Sequence, residues 1–264
     1  MTDFLVNQNS TPRNAELFLW SFRQMLGLAS ALEALHEVNC RHGDLKPDNI
    51  LNFKNDKGES VLVIADLGVS KFHNVVTGLR PDETRTKATT PSYEGPEVYE
   101  HEGKGVARSR TYDIWSMGCI FLEFAIWLLY DCKAILSFRD SRDSPDRRFY
   151  TETGTGRAKR HAKVSEALDT LRQDPRCEGK TALHDLLDLI DNHLLLINVE
   201  SRCLAKGLRA SLHEIVDKAE KNSQYLFREI DPHPTRPAIF QRTSSMSSTD
   251  QGVTILPSAG NHSD

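Results

Sequence analysis

Apolar residues return every three or four positions between Ala15 and Glu37: Leu17, Trp20, Phe22, Met25, Leu26, Leu28, Leu32 and Leu35. That spacing predicts a helix with one apolar face, and Thr11-Pro12 just upstream is a start signal. A polar run from Asn39 to Asn49 then predicts a loop. Two short strand-like pieces follow, Ile50–Phe53 and Val61–Ala65, and Asn55-Asp56-Lys57-Gly58 between them predicts a hairpin turn.

Residues 112–130 are apolar nearly all round, the mark of a helix buried in a core. Residues 73–110 carry Thr, Gly, Pro, Arg and Lys without periodicity, a length of loop that is usually functional. Residues 138–162 are dense in charge and predict an exposed loop or insertion. Amphipathic segments over 163–172, 181–198 and 203–221 predict three more helices. From 229 onward Ser, Thr and Pro replace the periodic apolar pattern, which predicts a disordered tail over 229–264 behind a domain over 1–228.

Length is consistent with one large domain or two small ones, at 264 residues. With 33 Lys and Arg against 37 Asp and Glu, the net charge of −4 gives no overall attraction to nucleic acid or an anionic membrane, and neither is expected as a partner. The apolar block Cys119–Tyr130 is interrupted by Glu123 and falls short of the roughly 20 residues of a membrane span. No basic start with an apolar block opens the chain. Cys40, Cys119, Cys132, Cys177 and Cys203 are odd in number, scattered and without a C-x-x-C pair, which argues against a disulfide framework or structural zinc. These features lead to an expectation of a reducing, cytoplasmic setting. The basic run Arg157–Lys163 is too short to decide for the nucleus and reads as a solvated face.

Chemistry concentrates in Arg41-His42-Gly43-Asp44-Leu45-Lys46-Pro47-Asp48-Asn49-Ile50-Leu51. An acid, a cation and an amide at Asp44, Lys46 and Asn49 share one loop behind a helix. Asp66-Leu67-Gly68 ends the second strand, where a carboxylate followed by glycine suits Mg²⁺. The first run resembles the catalytic loop of eukaryotic protein kinases, H-R-D-L-K-x-x-N, and Asp66-Leu67-Gly68 resembles their D-F-G. Thr90-Pro91-Ser92-Tyr93-Glu94-Gly95-Pro96-Glu97 resembles the T-x-x-Y-x-A-P-E that closes the activation segment. Asp113-Ile114-Trp115-Ser116-Met117-Gly118 resembles the D-x-W-S-x-G that opens the central helix, and Arg202 falls where the family has a late arginine. Four motifs in order cover roughly residues 15–221, the family's C-terminal lobe.

The resemblance implies a mainly α (α+β) fold, a helical bundle with a small β-hairpin. It implies a Ser/Thr protein kinase using ATP and Mg²⁺ on a protein substrate. Asp44 then accepts or orients the substrate hydroxyl proton, and Lys46 stabilises the transferring phosphoryl group. Asn49 and Asp66 are the Mg²⁺ ligands, and Leu51 packs under the adenine. Thr90 buttresses the catalytic loop, Glu97 and Arg202 form an anchoring ion pair, Asp113 pins the loop backbone, and His42 is a packed core histidine. Leu67 and Gly68 complete the second motif.

Some positions depart from the family. Gly43 replaces an arginine that grips the phosphorylated activation loop, so phosphorylation at Thr84, Thr86 or Thr89 is expected to matter less. Leu67 for Phe and Gly95 for Ala read as mild changes. Upstream, the family has a G-x-G-x-x-G strand pair, a phosphate-pairing lysine and a helix glutamate; here Lys46 is the first lysine, and Gly27 is the one glycine before the catalytic loop. Gly103-Lys104-Gly105, Gly154-Thr155-Gly156 and Gly179-Lys180-Thr181 read as turns. The expectation is therefore a C-lobe without its N-lobe. Two alternatives stand beside an active kinase: an inactive kinase-like binding or scaffold module (or incomplete gene product), and a small-molecule phosphotransferase of the H-G-D type, like aminoglycoside and choline kinases. A binding module predicts an uncovered apolar surface around Phe4, Leu5, Val6, Leu51 and Leu67, with a partner chain over it.

Overall fold

The computed structural model describes residues 1–67, the backbone of 71–72, and residues 91–100, 109–230 and 235–241. Helix α1 (Thr2–Asn7) leads to α2 (Ala15–Glu37), capped by Asn14, whose side chain accepts the Leu17 amide at 3.0 Å. Its apolar stripe, Leu17, Phe18, Phe22, Met25, Leu28, Ala29 and Leu32, is buried as the periodicity predicts. Each fully buried side chain of this size contributes about 1.5–3 kcal/mol. Phe4 of α1 stacks on Trp20 with centroids 4.8 Å apart, and Trp127 Nε1 donates to Leu5 O at 3.0 Å. Phe4 and Leu5 are therefore buried, against the expectation that they form an open surface; Val6 is exposed.

Strand β1 (Cys40–Arg41) pairs antiparallel with β4 (Lys71–Phe72), and β2 (Ile50–Lys54) pairs antiparallel with β3 (Ser60–Ile64). The turn between β2 and β3 is built by Asn55, whose side chain accepts the Lys57 and Glu59 amides at 3.0 and 2.8 Å. Side chains alternate across this hairpin. Ile50 and Leu62 face the core, whereas Leu51, Phe53 and Val63 lie on the other face, 42%, 53% and 40% exposed.

After the four-residue α3 (Glu97–Glu100) comes α4 (Thr111–Leu129), buried at every position from Tyr112 to Leu129. By length and composition it could cross a membrane, but its flanks are covered by protein on all sides. Its Gly118 lets a neighbouring turn in: a Cβ there would lie 2.8 Å from Leu194 Cβ. Helices α5 (Cys132–Ser141), α6 (Ala162–Arg172), α7 (Ala182–Leu189) and α8 (Ala205–Lys221) complete the bundle. Ion pairs Arg23–Glu220 and Arg209–Glu33 show that α8 runs antiparallel to α2. The fold is thus mainly helical with the small β2–β3 hairpin, as the sequence predicts; among the described residues two further two-stranded sheets accompany it.

Two expectations need correction. Residues 138–162 are not an exposed loop. They hold the end of α5, the hairpin β5 (Tyr150–Glu152) with β6 (Ala158–Arg160), and the buried residues Phe138, Arg142, Phe149 and Tyr150. The basic run at 157–163 is β6 and the cap of α6, where His161 Nδ1 accepts the Lys163 amide at 3.0 Å. Nor is the tail uniformly undocked: a single turn at Ala238–Phe240 buries Phe240 completely. Residues 242–264, with the Ser/Thr cluster at 243–249, lie outside the described residues.

Candidate active site

The site forms where α2 ends. His36, in its last turn, reaches Asp113 of α4 with Nε2 2.9 Å from Oδ2. The same oxygen accepts the His42 amide at 2.9 Å, and Oδ1 accepts the Gly43 amide at 2.9 Å. One fully buried carboxylate thus fixes the backbone just ahead of Asp44 and satisfies its own desolvation by hydrogen bonds. Gly43 has φ of +84°, a conformation that costs other residues roughly 1–2 kcal/mol.

His42 is fully buried, as expected. Its Nδ1 accepts the Asp44 amide at 3.3 Å, so Nε2 carries the hydrogen and donates to Ala65 O at 2.9 Å. That bond ties the loop over residues 41–51 to the end of β3. The Ala65 amide also donates to Asn49 O at 2.8 Å, extending the β2–β3 ladder by one bond. Asn49 and Asp66 consequently leave the hairpin at the same end.

Asp44, Lys46 and Asn49 are brought together. Lys46 Nζ lies 2.9 Å from Asp44 Oδ2, and Asn49 Nδ2 donates to Asp44 O at 2.8 Å and to Asp44 Oδ2 at 3.3 Å. Asp44 is nearly buried and Lys46 is partly open. Asp66 is exposed and sits at φ of +63°, a strained position for a residue with a side chain. Leu51 and Leu67 are exposed beside it. Gly68 and Thr90 lie outside the described residues, as do Thr84, Thr86 and Thr89.

Glu97 and Arg202 form the expected pair, Nη1 to Oε1 at 2.9 Å and Nη2 to Oε2 at 2.8 Å. Gly95 is not a mild change in this setting. A Cβ there would meet Glu97 Oε2 at 2.4 Å, and Arg202 keeps that carboxylate from moving aside. Ser116 of α4 donates to Tyr93 O at 2.8 Å, fastening the turn at Pro91–Tyr93 to the core.

Sequence reasoning missed a second group of residues. Glu123, read only as an interruption of an apolar run, accepts from Arg139 Nη2 at 2.6 Å and from the Tyr93 hydroxyl at 2.8 Å. Arg142 lies 3.6 Å from it. Burial pushes the Glu123 carboxyl up, but Arg139 and Arg142 outweigh it and hold the group below its usual range. Tyr93 is raised by burial and by the facing carboxylate. His36 was missed as well; its place one turn beyond Leu32 on the apolar face was the available signal.

Known proteins point the same way. A family model described as "Protein kinase domain" matches residues 20–176. The chain belongs to the protein kinase family. Among curated relatives of this kinase are ovarian-specific serine/threonine-protein kinase Lok of Drosophila melanogaster, 34% identical over 45% of the chain and 22% of the relative, and serine/threonine-protein kinase chk-2 of Caenorhabditis elegans, 39% identical over 37% and 19%. Rat serine/threonine-protein kinase DCLK1 is 33% identical over 36% and 20%. The matched stretches span about a fifth of these relatives' lengths.

Among the described residues no cluster of three or more His, Cys, Asp or Glu side chains is preassembled for a metal. Asn49 and Asp66 nonetheless supply the hard oxygen donors that Mg²⁺ takes, in the small number it takes from protein when phosphate oxygens complete the shell. The open Leu51 gives an apolar base suited to a purine.

Proposed function

We propose that this kinase-family chain transfers the γ-phosphate of ATP to Ser or Thr hydroxyls of a protein substrate, with Mg²⁺. The observation that carries the reading is the convergence of Asp44, Lys46 and Asn49 on one loop whose backbone Asp113 fixes. The serine/threonine kinases among its relatives support the substrate class. Bound Mg²⁺–ATP supplies the phosphoryl group and neutralises its charge. Asp44 would accept the proton of the incoming hydroxyl, and Lys46, held against Asp44, would offer its ammonium to the charge on the transferring phosphoryl group. Asn49 uses its amide nitrogen on Asp44, which leaves its carbonyl oxygen as a donor; Asn49 and Asp66 would hold Mg²⁺, which would neutralise phosphate charge. Leu51 carries the adenine.

A second reading, a non-catalytic binding module, is favoured by one observation: the open face of the β2–β3 hairpin, Leu51, Phe53 and Val63, with Leu67 beside it. A partner chain then covers this face. Thermal denaturation with Mg²⁺–ATP separates the two. The kinase reading expects a Mg²⁺-dependent rise in Tm that Asp66→Ala abolishes. Asp44→Asn should keep that rise and lower phosphate transfer about 10²–10⁴-fold. Absence of any nucleotide-dependent shift removes the kinase reading and leaves the module.

A further inference from the structure

Residues 235–241 dock on the N-terminal end of α5. Arg236 pairs with Asp131, the residue whose side chain also caps α5 by accepting the Ala134 amide at 2.8 Å. Phe240, with no exposed surface, lies 5.2 Å from Tyr130 and 6.5 Å from Phe138, ring centre to ring centre. The attachment consists of the buried Phe240 ring, the partly buried Ile239 and the partly buried Arg236–Asp131 ion pair.

What lies behind that anchor is unusual. Phe138 meets Phe149 edge-on at 5.8 Å, and Phe149 lies 6.1 Å from Tyr93. Arg142 sits over both phenylalanine rings, at 4.2 and 4.1 Å, and approaches Glu123 at 3.6 Å. A continuous row of ring and cation contacts therefore runs from Phe240 through Phe138, Arg142 and Phe149 to Tyr93 and Glu123. The row is sensitive to displacement. Arg142 is almost fully buried, and its Nη1 has no hydrogen-bond partner among the described residues. Its Nε donates to Arg147 O at 3.0 Å, and the rest of its charge rests on the two ring faces and on Glu123. Tyr93 lies at the end of the segment that carries Gly95 and Glu97, and Ser92 Oγ donates to Asp146 O at 2.6 Å, a second tie between that segment and the loop after α5.

We propose that residues 236–240 are a plug in cis, and that Phe240 is a positioning residue for the Pro91–Glu97 segment. With Phe240 seated, Phe138 and Phe149 hold Arg142 against Glu123, and Glu123 with Arg139 holds the Tyr93 hydroxyl. With Phe240 withdrawn, the row loosens and the segment beside the catalytic loop loosens with it. The occupant is the chain's own tail. The inference goes beyond the catalytic reading, and its test does not use phosphate transfer.

Amide hydrogen exchange on the full chain decides it. In Phe240→Ala, amides within 91–100 should exchange about fivefold faster or more, together with those of α5, while α8 is unchanged. Phe240→Leu should restore most of the protection. In a Phe149→Leu background, where the row is already broken, Phe240→Ala should add no further change at 91–100. A change confined to 235–241 and α5, or equal effects with and without Phe149, overturns the proposal. If Phe240→Ala fails to fold, Arg236→Gln gives the same reading with a smaller effect, and unchanged exchange at 91–100 then overturns it.

Discussion

Arg202 and Glu97 meet through two charge-assisted hydrogen bonds across 105 residues of chain, with the arginine side chain fully buried. The guanidinium also donates to Leu196 O at 2.7 Å and Thr111 O at 3.2 Å, so one side chain joins α3, the start of α4 and the turn ahead of α8. Removing either partner leaves a buried charge. Arg202→Ala should destabilise the fold by about 3–5 kcal/mol. Arg202→Lys, which has no planar fork, should be only partly tolerated. Urea midpoints at constant m-value measure both.

Glycines give a second expectation. Gly43→Ala should cost roughly 1–2 kcal/mol through its positive φ. Gly118→Ala should cost about 1–3 kcal/mol for a different reason, overpacking against Leu194 and Leu195. A Leu194→Ala change should offset part of the second loss and none of the first, which a double-mutant cycle reads directly.

Acid should destabilise the protein in two steps. His161 is lowered from 6.5 by burial, followed by the nearby Arg142. Its unfolded form binds a proton first, so the contribution is present above about 6.5 and falls as pH drops through the folded value. Glu123 and Asp174 are buried, which raises them, but their arginine partners bring both below their ordinary 4.5 and 3.8. Their contribution is full above those values and is lost as pH falls below them. Urea midpoints should decline slightly below pH 6.5 and steeply below pH 4.5. His161→Asn, which still caps α6, should remove the first step and keep the second.

Thiol chemistry should be slow. Burial pushes Cys177 up to about 12 and Cys203 up to about 11, and Cys119 is fully buried and raised as well. Alkylation at pH 8 should proceed at Cys119 and Cys177 only at the rate of opening, and should reach all five cysteines at once in denaturant. Mass spectrometry of partially labelled protein checks the order.

Local pattern made much of the fold legible. The periodicity of 15–37 gives the bounds of α2, and the all-round apolar character of 112–130 gives the buried α4 to within a residue. The Asp44, Lys46 and Asn49 cluster was legible because one loop carries all three, and i, i+2, i+5 spacing holds them close whatever surrounds the loop. Glu123, Arg139, Arg142 and Phe240 were not legible. A carboxylate in an apolar run and arginines in a charged stretch have the composition of surface residues, and only their partners, 16 to 30 residues away for Glu123, make Glu123 and Arg142 interior.

Sequence alone determined the long helices α2, α4, α6 and α8, where the β2–β3 hairpin turns, and which short loop holds an acid, a cation and an amide, because each depends on neighbours within a few residues. The tertiary structure decided the rest. It set Asp113 beneath the catalytic loop and closed Glu97 on Arg202. It also buried Glu123 and, from the charged stretch, Arg142, and drew part of a polar tail into an aromatic socket. The reason is physical: whether a charge is solvated or paired depends on what packs against it, and such contacts join positions that no short window of sequence contains.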